Sequence, residues 1–477
     1  HLIAGGEDLR ITSQSRWRWD WIGMVLGLIG GLGCLFAPKT PGTIAEQGMF
    51  FGAGFLFTLA GVAVSSLLIR RFLRPSQALS SVASLGRQHT VRRRGRSLAV
   101  IALMASGVFM VTAINSFRLD GERGAERRGS GTGGFAYVGE ATLPIYDDLN
   151  SAAGREKFGL DGLEEEFDVV GFRVSDGEDA SCLNLNRAQR PRLLGVQAEE
   201  LASRSAFTFT KVEGAAEAGD EWRVLSRESK TNADGIPIIP GVIDQNTAIY
   251  ALQKALGDEV VYETVSGDSF AVQIVGFLDT SILQGSLVID EDRFIEFFPD
   301  AGGYQFFLVD GGAVEELEPV ASQMTRMFGD LGLEMRPAAH RLNEFNAVQN
   351  TYLSIFSTLG GLGIFLGTIG LAIIVGRNVL ERRGQLGVMQ AMGFTRRALG
   401  EMVLAEHWFL HVSGVLLGVA AAIIAVIPQV GKGASALPWP LLMGVNGAVL
   451  VGGLIFCWLA VRVVIRGEDL TESIRRE

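Results

Sequence analysis

Cysteine, histidine and proline are scarce in this sequence, and the scarcity removes whole classes of function. Three cysteines, Cys34, Cys182 and Cys457, stand among 477 residues without a CxxC pair, which excludes a cysteine zinc ribbon and a dithiol redox centre. Only Cys182 lies outside an apolar run, so the polar part of the chain closes no internal disulfide. The five histidines, His1, His89, His340, His407 and His411, form no Ser/His/Asp or Cys/His catalytic pattern. Basic charge is short in the middle: residues 118–346 hold 20 Lys+Arg against 41 Asp+Glu, net −21. That excludes a nucleic-acid partner, which needs a basic patch to meet phosphate. A phosphate-cradling loop is also missing. The nearest match to G-x-x-x-x-G-K-[ST] begins at Gly33, and Pro38 replaces its second glycine. The chain is therefore expected to be no enzyme and to carry no cofactor.

What the sequence has instead is glycine, 61 residues against 13 prolines, and 48% hydrophobic residues. Glycine is more frequent in transmembrane helices than in soluble ones. Six apolar runs approach the roughly 20 residues a spanning helix needs: 21–36, extended by Trp17, Trp19 and Trp21, then 49–69, 97–117, 352–375, 402–427 and 441–465. The loop 70–96 carries eight arginines and no acid, and Arg377, Arg382, Arg383, Arg396 and Arg397 follow the fourth run. By the positive-inside rule both stretches are cytoplasmic. The loops 37–48 and 428–440, with one lysine each, then lie outside together with the acidic middle.

The chain divides accordingly. Residues 1–16 read as the cytoplasmic tail of a preceding repeat, 17–72 as two linker transmembrane helices and 73–96 as a basic cytoplasmic segment. A helix over 97–117 leads to an extracytoplasmic α+β domain over 118–346. Then follow a helix (347–376), a cytoplasmic helix (377–399), two more spans (400–428 and 438–466) and a cytoplasmic tail (467–477). The preceding repeat is expected because Gly6-Glu7-Asp8-Leu9 recurs as Gly467-Glu468-Asp469-Leu470. The first residue is His1 and no signal peptide precedes the first run, so the sequence reads as part of a longer chain.

Within the outer domain, residues 118–135 are charged and glycine-rich and read as a flexible exit from the third span. Strands are expected at 270–278, 285–289, 304–309 and 333–336. Helices are expected after Asp290, within 314–331, where Pro319 starts or kinks the helix, and at 246–256.

Three groups of residues merit weighing as sites. Glu406, His407 and His411 lie in the fifth run, with the imidazoles at i and i+4 as in a zinc helix. The pattern is neither HExxH nor HxxEH and lacks a third ligand, so a structural polar cluster is expected and no metal. Glycines repeat at i+4 in Gly23/Gly27/Gly31, Gly363/Gly367 and Gly414/Gly418, which predicts close helix packing. In RNVLERRGQLGVMQAMGFTRRALG, residues 377–400, Leu386, Met389 and Met392 form an apolar stripe. Gly393 stops that helix and Thr395 caps the next. Such a helix either lies on anionic lipid or docks on another protein.

Residues 359–399, LGGLGIFLGTIGLAIIVGRNVLERRGQLGVMQAMGFTRRAL, resemble the second span and coupling helix of the FtsX-like permease family of ABC transporters, the macrolide-exporter and lipoprotein-releasing type. The stretch 275–300, VGFLDTSILQGSLVIDEDRFIEFFPD, resembles the periplasmic core domain of that family, and the order of one span, a large outer domain and three spans is also similar. Gln385 stands where the family often has an acid, whereas Glu406 matches a glutamate common early in its third span. The two extra spans resemble the linker pair of ten-span members, and the resemblance implies that this chain is the C-terminal half of such a protein. The resemblance implies a permease in the bacterial inner membrane that transmits the motion of a separate ATPase to the outer domain. The cargo would be a lipophilic or peptide-like substrate. It implies coupling through Arg382, Arg383, Gln385, Leu386, Met389 and Gly393, with membrane lipids and a periplasmic adaptor as further partners. The rival readings are a non-transporting sensor of the same family and an intramembrane metallohydrolase using His407 and His411.

Overall fold

The computed structural model describes residues 12–37, 44–72, 94–177, 190–214, 219–232, 235–264, 267–381, 383–431 and 438–467. Cys182, Arg382 and both Gly-Glu-Asp-Leu copies, the second from its glutamate on, lie outside the described residues. Two compact units emerge, one of residues 1–118 with 352–477 and one of residues 119–351.

The first unit is helical: α1 (Thr12–Phe36), α2 (Ile44–Phe72), α3 (Arg94–Ser116), α4 (Ala338–Glu381), α5 (Arg383–Ala391), α6 (Arg396–Gly431) and α7 (Trp439–Gly467). All but the short α5 are long and apolar enough to cross a membrane. α4 begins in the second unit and continues into the first as one helix.

Small residues set the helix contacts. Gly27 of α1 faces the Leu56 carbonyl and Ala60 of α2, and Gly31 faces the Phe57 ring. Gly414 of α6 lies against Met104 Cβ and the Ile101 carbonyl of α3, and Gly418 against the Ala105 carbonyl and Val108, so the glycines let the two helices approach closely. Gly367 of α4 meets Leu103 and Met104, but Gly363 faces open space, and at that position the repeat marks no contact. Phe109, Ala113, Ala421, Ala422 and Ala425 form a small buried core between α3 and α6. Hydrogen bonds join further pairs: Ser66 Oγ donates to Asp20 Oδ2 at 2.8 Å, and Thr112 Oγ1 to Asn446 Oδ1 at 3.2 Å.

Among the described residues the second unit is built on an eleven-stranded mixed sheet. Its strands are β1 (Tyr137–Ile145), β2 (Asp168–Ser175), β3 (Arg192–Val196), β4 (Phe209–Val212), β5 (Lys230–Thr231), β6 (Pro237–Asp244), β7 (Glu259–Glu263), β8 (Ser269–Leu278), β9 (Ser286–Asp290), β10 (Tyr304–Asp310) and β11 (Glu334–Pro337). The order is β11-β1-β10-β2-β3-β9-β6-β8-β4, with β5 on β6 and β7 on β8. β3 runs parallel to β9 and β6 parallel to β8, and the other pairs are antiparallel. Strand alternation sorts the core. Phe306 joins Phe135, Phe172, Trp222 and Leu342 in one apolar cluster, and its neighbour Phe307 joins Tyr137, Phe167 and Phe328 in another.

The expected strands and most expected helices are present. Asp290 caps the helix Glu291–Phe297 by accepting from Asp292 N, and Pro319 sits in the first turn of the helix Glu318–Met327. Two expectations need correction. The helix expected at 246–256 is a six-residue π-helical stretch, Thr247–Leu252, ended by Gln253 at φ 54°. The flexible exit at 118–135 is instead a folded strap. Arg128 O accepts from Phe207 N, Gly129 O from Thr208 Oγ1 and Gly131 O from Ile282 N. Positive φ at Gly124, Gly133 and Gly134 makes the required tight turns, so glycine here serves bending and not slackness.

Candidate functional site

α5 sits between two long helices because its ends are specified locally. Gly393 adopts φ 102°, where its own N–H bonds back to Gln390 O and Phe394 N to Met389 O. Thr395 Oγ1 then accepts from Ala398 N at 3.2 Å and caps α6. Exposed i,i+4 pairs, Arg377–Glu381 at 2.7 Å and Arg397–Glu401 at 2.9 Å, flank the segment on α4 and α6.

Of the apolar stripe, Leu386 and Met389 face the chain itself, whereas Met392 does not. Leu386 is 1% exposed and belongs to a core with Val375, Val379, Leu399, Met402 and Val403, against which Met389 packs. The surface left open carries Gln385, Val388, Met392 and Phe394, of which Val388 is 53% and Met392 67% exposed. Leu386 and Met389 are thus brought together as the support of the helix and not as its outer face. Sequence periodicity finds the stripe but does not say which neighbour covers it. Arg383 opens α5.

Glu406, His407 and His411 are all buried in α6. His407 Nδ1 bonds Val403 O of its own helix at 2.9 Å, and His411 Nε2 bonds Val449 O of α7 at 3.1 Å. A carbonyl only accepts, so His411 carries a proton on Nε2, and its Nδ1 is buried with no hydrogen-bond partner. Gly453 lets α7 approach the His411 ring with no Cβ in the way. Each imidazole spends a nitrogen on a backbone carbonyl, and among the described residues no three His, Cys, Asp or Glu side chains gather as a metal would need. Of the two bonds, the His411 one joins α6 to α7 and the His407 one stays within α6.

Sequence reading missed Asp244, a fully buried carboxylate of the second unit. It accepts from Asn246 N and Ser281 N, both at 2.9 Å, and more distantly from Thr247 N and Ser281 Oγ at 3.4 Å. It ties the turn after β6 to the loop after β8. Burial pushes its pKa up from 3.8 to about 7, with Asp279 adding to the rise and the three N–H donors opposing it. The sign follows from proton linkage: between the unfolded value and about 7 the folded state holds the extra proton, so stability falls as pH rises through that window. The thermal midpoint of the second unit is therefore expected to drop from pH 5 to pH 8, with Asp244 contributing at most about 1.4 kcal/mol per pH unit. Differential scanning fluorimetry on wild type and Asp244→Asn measures it. Equal pH slopes in the two proteins would refute the assignment.

Residues 357–468, from within α4 through α7, match the model of the FtsX-like permease C-terminal family. Over 165 residues the chain is 27% identical to the pyoverdine export ATP-binding/permease protein PvdT of Pseudomonas fluorescens, covering 34% of this chain and 25% of that protein. It is 30% identical over 138 residues to the macrolide export ATP-binding/permease protein MacB of Azoarcus sp., covering 28% and 20%. It is also 21% identical over 143 residues to an uncharacterized ABC transporter permease of Methanocaldococcus jannaschii, covering 29% and 36%. The chain thus spans about a third or less of the length of these relatives.

Proposed function

We propose, from the premise that the C-terminal region of this chain is an FtsX-like permease domain of the ABC-transporter permease family, that the chain transmits the motion of a separate ATP-binding subunit to an extracytoplasmic domain. The observation that carries this reading is α5. It is a short helix held between two candidate spans, buried on one side in its own bundle and open on the other at Gln385, Val388, Met392 and Phe394. In this reading the open side meets the ATPase, together with Arg382 and Arg383, which adjoin it in sequence. Leu386 and Met389 hold the helix from behind, and Gly393 sets its end.

α4 supports the second half of the reading. It is one 44-residue helix with a membrane-length apolar stretch and a start among the strands of the second unit. A continuous helix carries displacement as a rigid body, where a loop absorbs it by backbone rotation. The cargo in this reading is a lipophilic or peptide-like compound handled outside the inner membrane, with a periplasmic adaptor and lipids as neighbours. Export is what the names of two relatives state for those proteins. The buried, carbonyl-bonded histidines favour the permease over an intramembrane hydrolase.

Mass spectrometry of the chain purified in mild detergent is expected to find an ATP-binding subunit in stoichiometric amount. A chain that arrives alone from native membranes would sink the proposal. Orientation has its own test. A single cysteine at exposed Asp161, with Cys34, Cys182 and Cys457 replaced, is expected to react with an impermeant maleimide in intact spheroplasts. Reaction only after the membrane is opened would reverse the topology.

A further inference from the structure

The chain is joined to its second unit by two unlike links. α3 ends at Ser116 and gives way to the non-helical strap, whereas α4 is a helix throughout. A non-helical strap has backbone groups that no helix satisfies, and they need partners where water is excluded. α4 supplies them. Asn343 Oδ1 accepts from Gly121 N at 2.7 Å. Asn350 takes Leu119 from both sides: its Oδ1 accepts from Leu119 N at 3.0 Å and its Nδ2 donates to Leu119 O at 2.7 Å. Within the helical unit, Asn115 Nδ2 of α3 donates to Ser357 Oγ of α4 at 2.8 Å.

The spacing of these residues is regular. Asn343, Asn350 and Ser357 recur every seven residues, which keeps them on one line of a helix. The same line continues as Ile364 and Leu371, both buried, and Gly107 of α3 lies against Ile364. The seam between α4 and the chain leaving α3 is thus apolar along α3 and polar where helix gives way to strap. Asparagine suits the polar part because its amide both donates and accepts, and so can satisfy the N–H and the C=O of a single residue.

We propose that Asn343 and Asn350, aided by Ser357, are positioning residues that fasten the strap to α4, so that both covalent links into the second unit follow α4 as one lever. The source of the motion rests on the permease reading; the clasp itself does not. Without the clasp, the strap would take up displacement by rotating its own backbone, and only one of the two links would carry force.

Trypsin tests this, because the Arg118–Leu119 bond contains the N–H that Asn350 holds, and Arg118 is exposed. The full chain, purified in detergent with its ATPase, is digested with and without ATP plus vanadate. In the Asn343→Ala/Asn350→Ala variant, cleavage after Arg118 is expected to rise about tenfold, as the open population grows. Cutting after Arg293, in the helix Glu291–Phe297, should not change. Wild-type strap cleavage should be equal in both nucleotide states and become nucleotide-dependent only in the variant, where the strap lags α4. Asn350→Asp keeps the acceptor for Leu119 N–H and loses the donor to Leu119 C=O; it should give a smaller rise and serves if the double variant does not fold. Wild-type protection in both variants overturns the clasp, and release without nucleotide dependence overturns the lever. A wild-type chain that brings down no ATPase overturns the permease reading instead, and the nucleotide-free digestion still decides the clasp.

Discussion

Replacing Val388 and Met392 together by aspartate is expected to strip the ATP-binding subunit from the purified chain while leaving the chain folded in the membrane. Val388 on α5 and Met392, one residue past its end, are both more than half exposed. Full burial of a Val or Met side chain contributes about 1.5–3 kcal/mol. Placing an unpaired carboxylate in the same contact adds a desolvation cost, so the pair should weaken docking by roughly 3 kcal/mol or more, over 100-fold in Kd. Leu386→Asp is the contrast. Leu386 is 1% exposed among α4 and α6 residues, and a charge there should lower the yield of the whole chain and not only its partner. Co-purification from matched membranes reads both. If the Val388/Met392 variant retains its ATPase at wild-type stoichiometry, the open side of α5 is not the docking surface.

The two sides of α5 show where sequence reading stops. Helical spacing placed Leu386 and Met389 on one stripe, and the glycine at 393 and threonine at 395 marked the helix ends where the structure has them. Spacing is a property of one helix, however, and which side is covered depends on α4 and α6 folding back over it. The same limit explains the strap. Its composition is that of a linker, yet Asn343, Asn350 and the loops at Phe207 and Ile282 hold it from more than 70 residues away in sequence. A seven-residue recurrence of Asn, Asn and Ser was visible in the sequence, but its partner was not. Spans were legible because lipid demands a long apolar helix whatever its neighbours. Asp244 was not legible, since nothing local distinguishes a buried aspartate from an exposed one.

Glycine spacing, by contrast, divides into positions that pack and positions that do not, and Gly418 and Gly363 should show it. A Cβ added at Gly418 would stand 2.6 Å from the Ala105 carbonyl oxygen and 2.9 Å from Val108 Cβ, and a backbone atom has no rotamer by which to move aside. Gly418→Leu therefore forces α6 off α3, and overpacking of this kind costs about 1–3 kcal/mol, more when a backbone must shift. The contact lies next to the Phe109, Ala113 and Ala421 core, so the loss should spread to the bundle. Gly363 faces open space. Gly363→Ala removes backbone freedom from the unfolded chain without a clash, and should leave stability unchanged or raise it by up to ~1 kcal/mol. Thermal midpoints of the two variants in the same detergent decide the matter: a large fall for Gly418→Leu with none for Gly363→Ala is expected. Equal falls would mean that α4 is packed at Gly363 as tightly as α6 is at Gly418, and that the small-residue repeats work as one class after all.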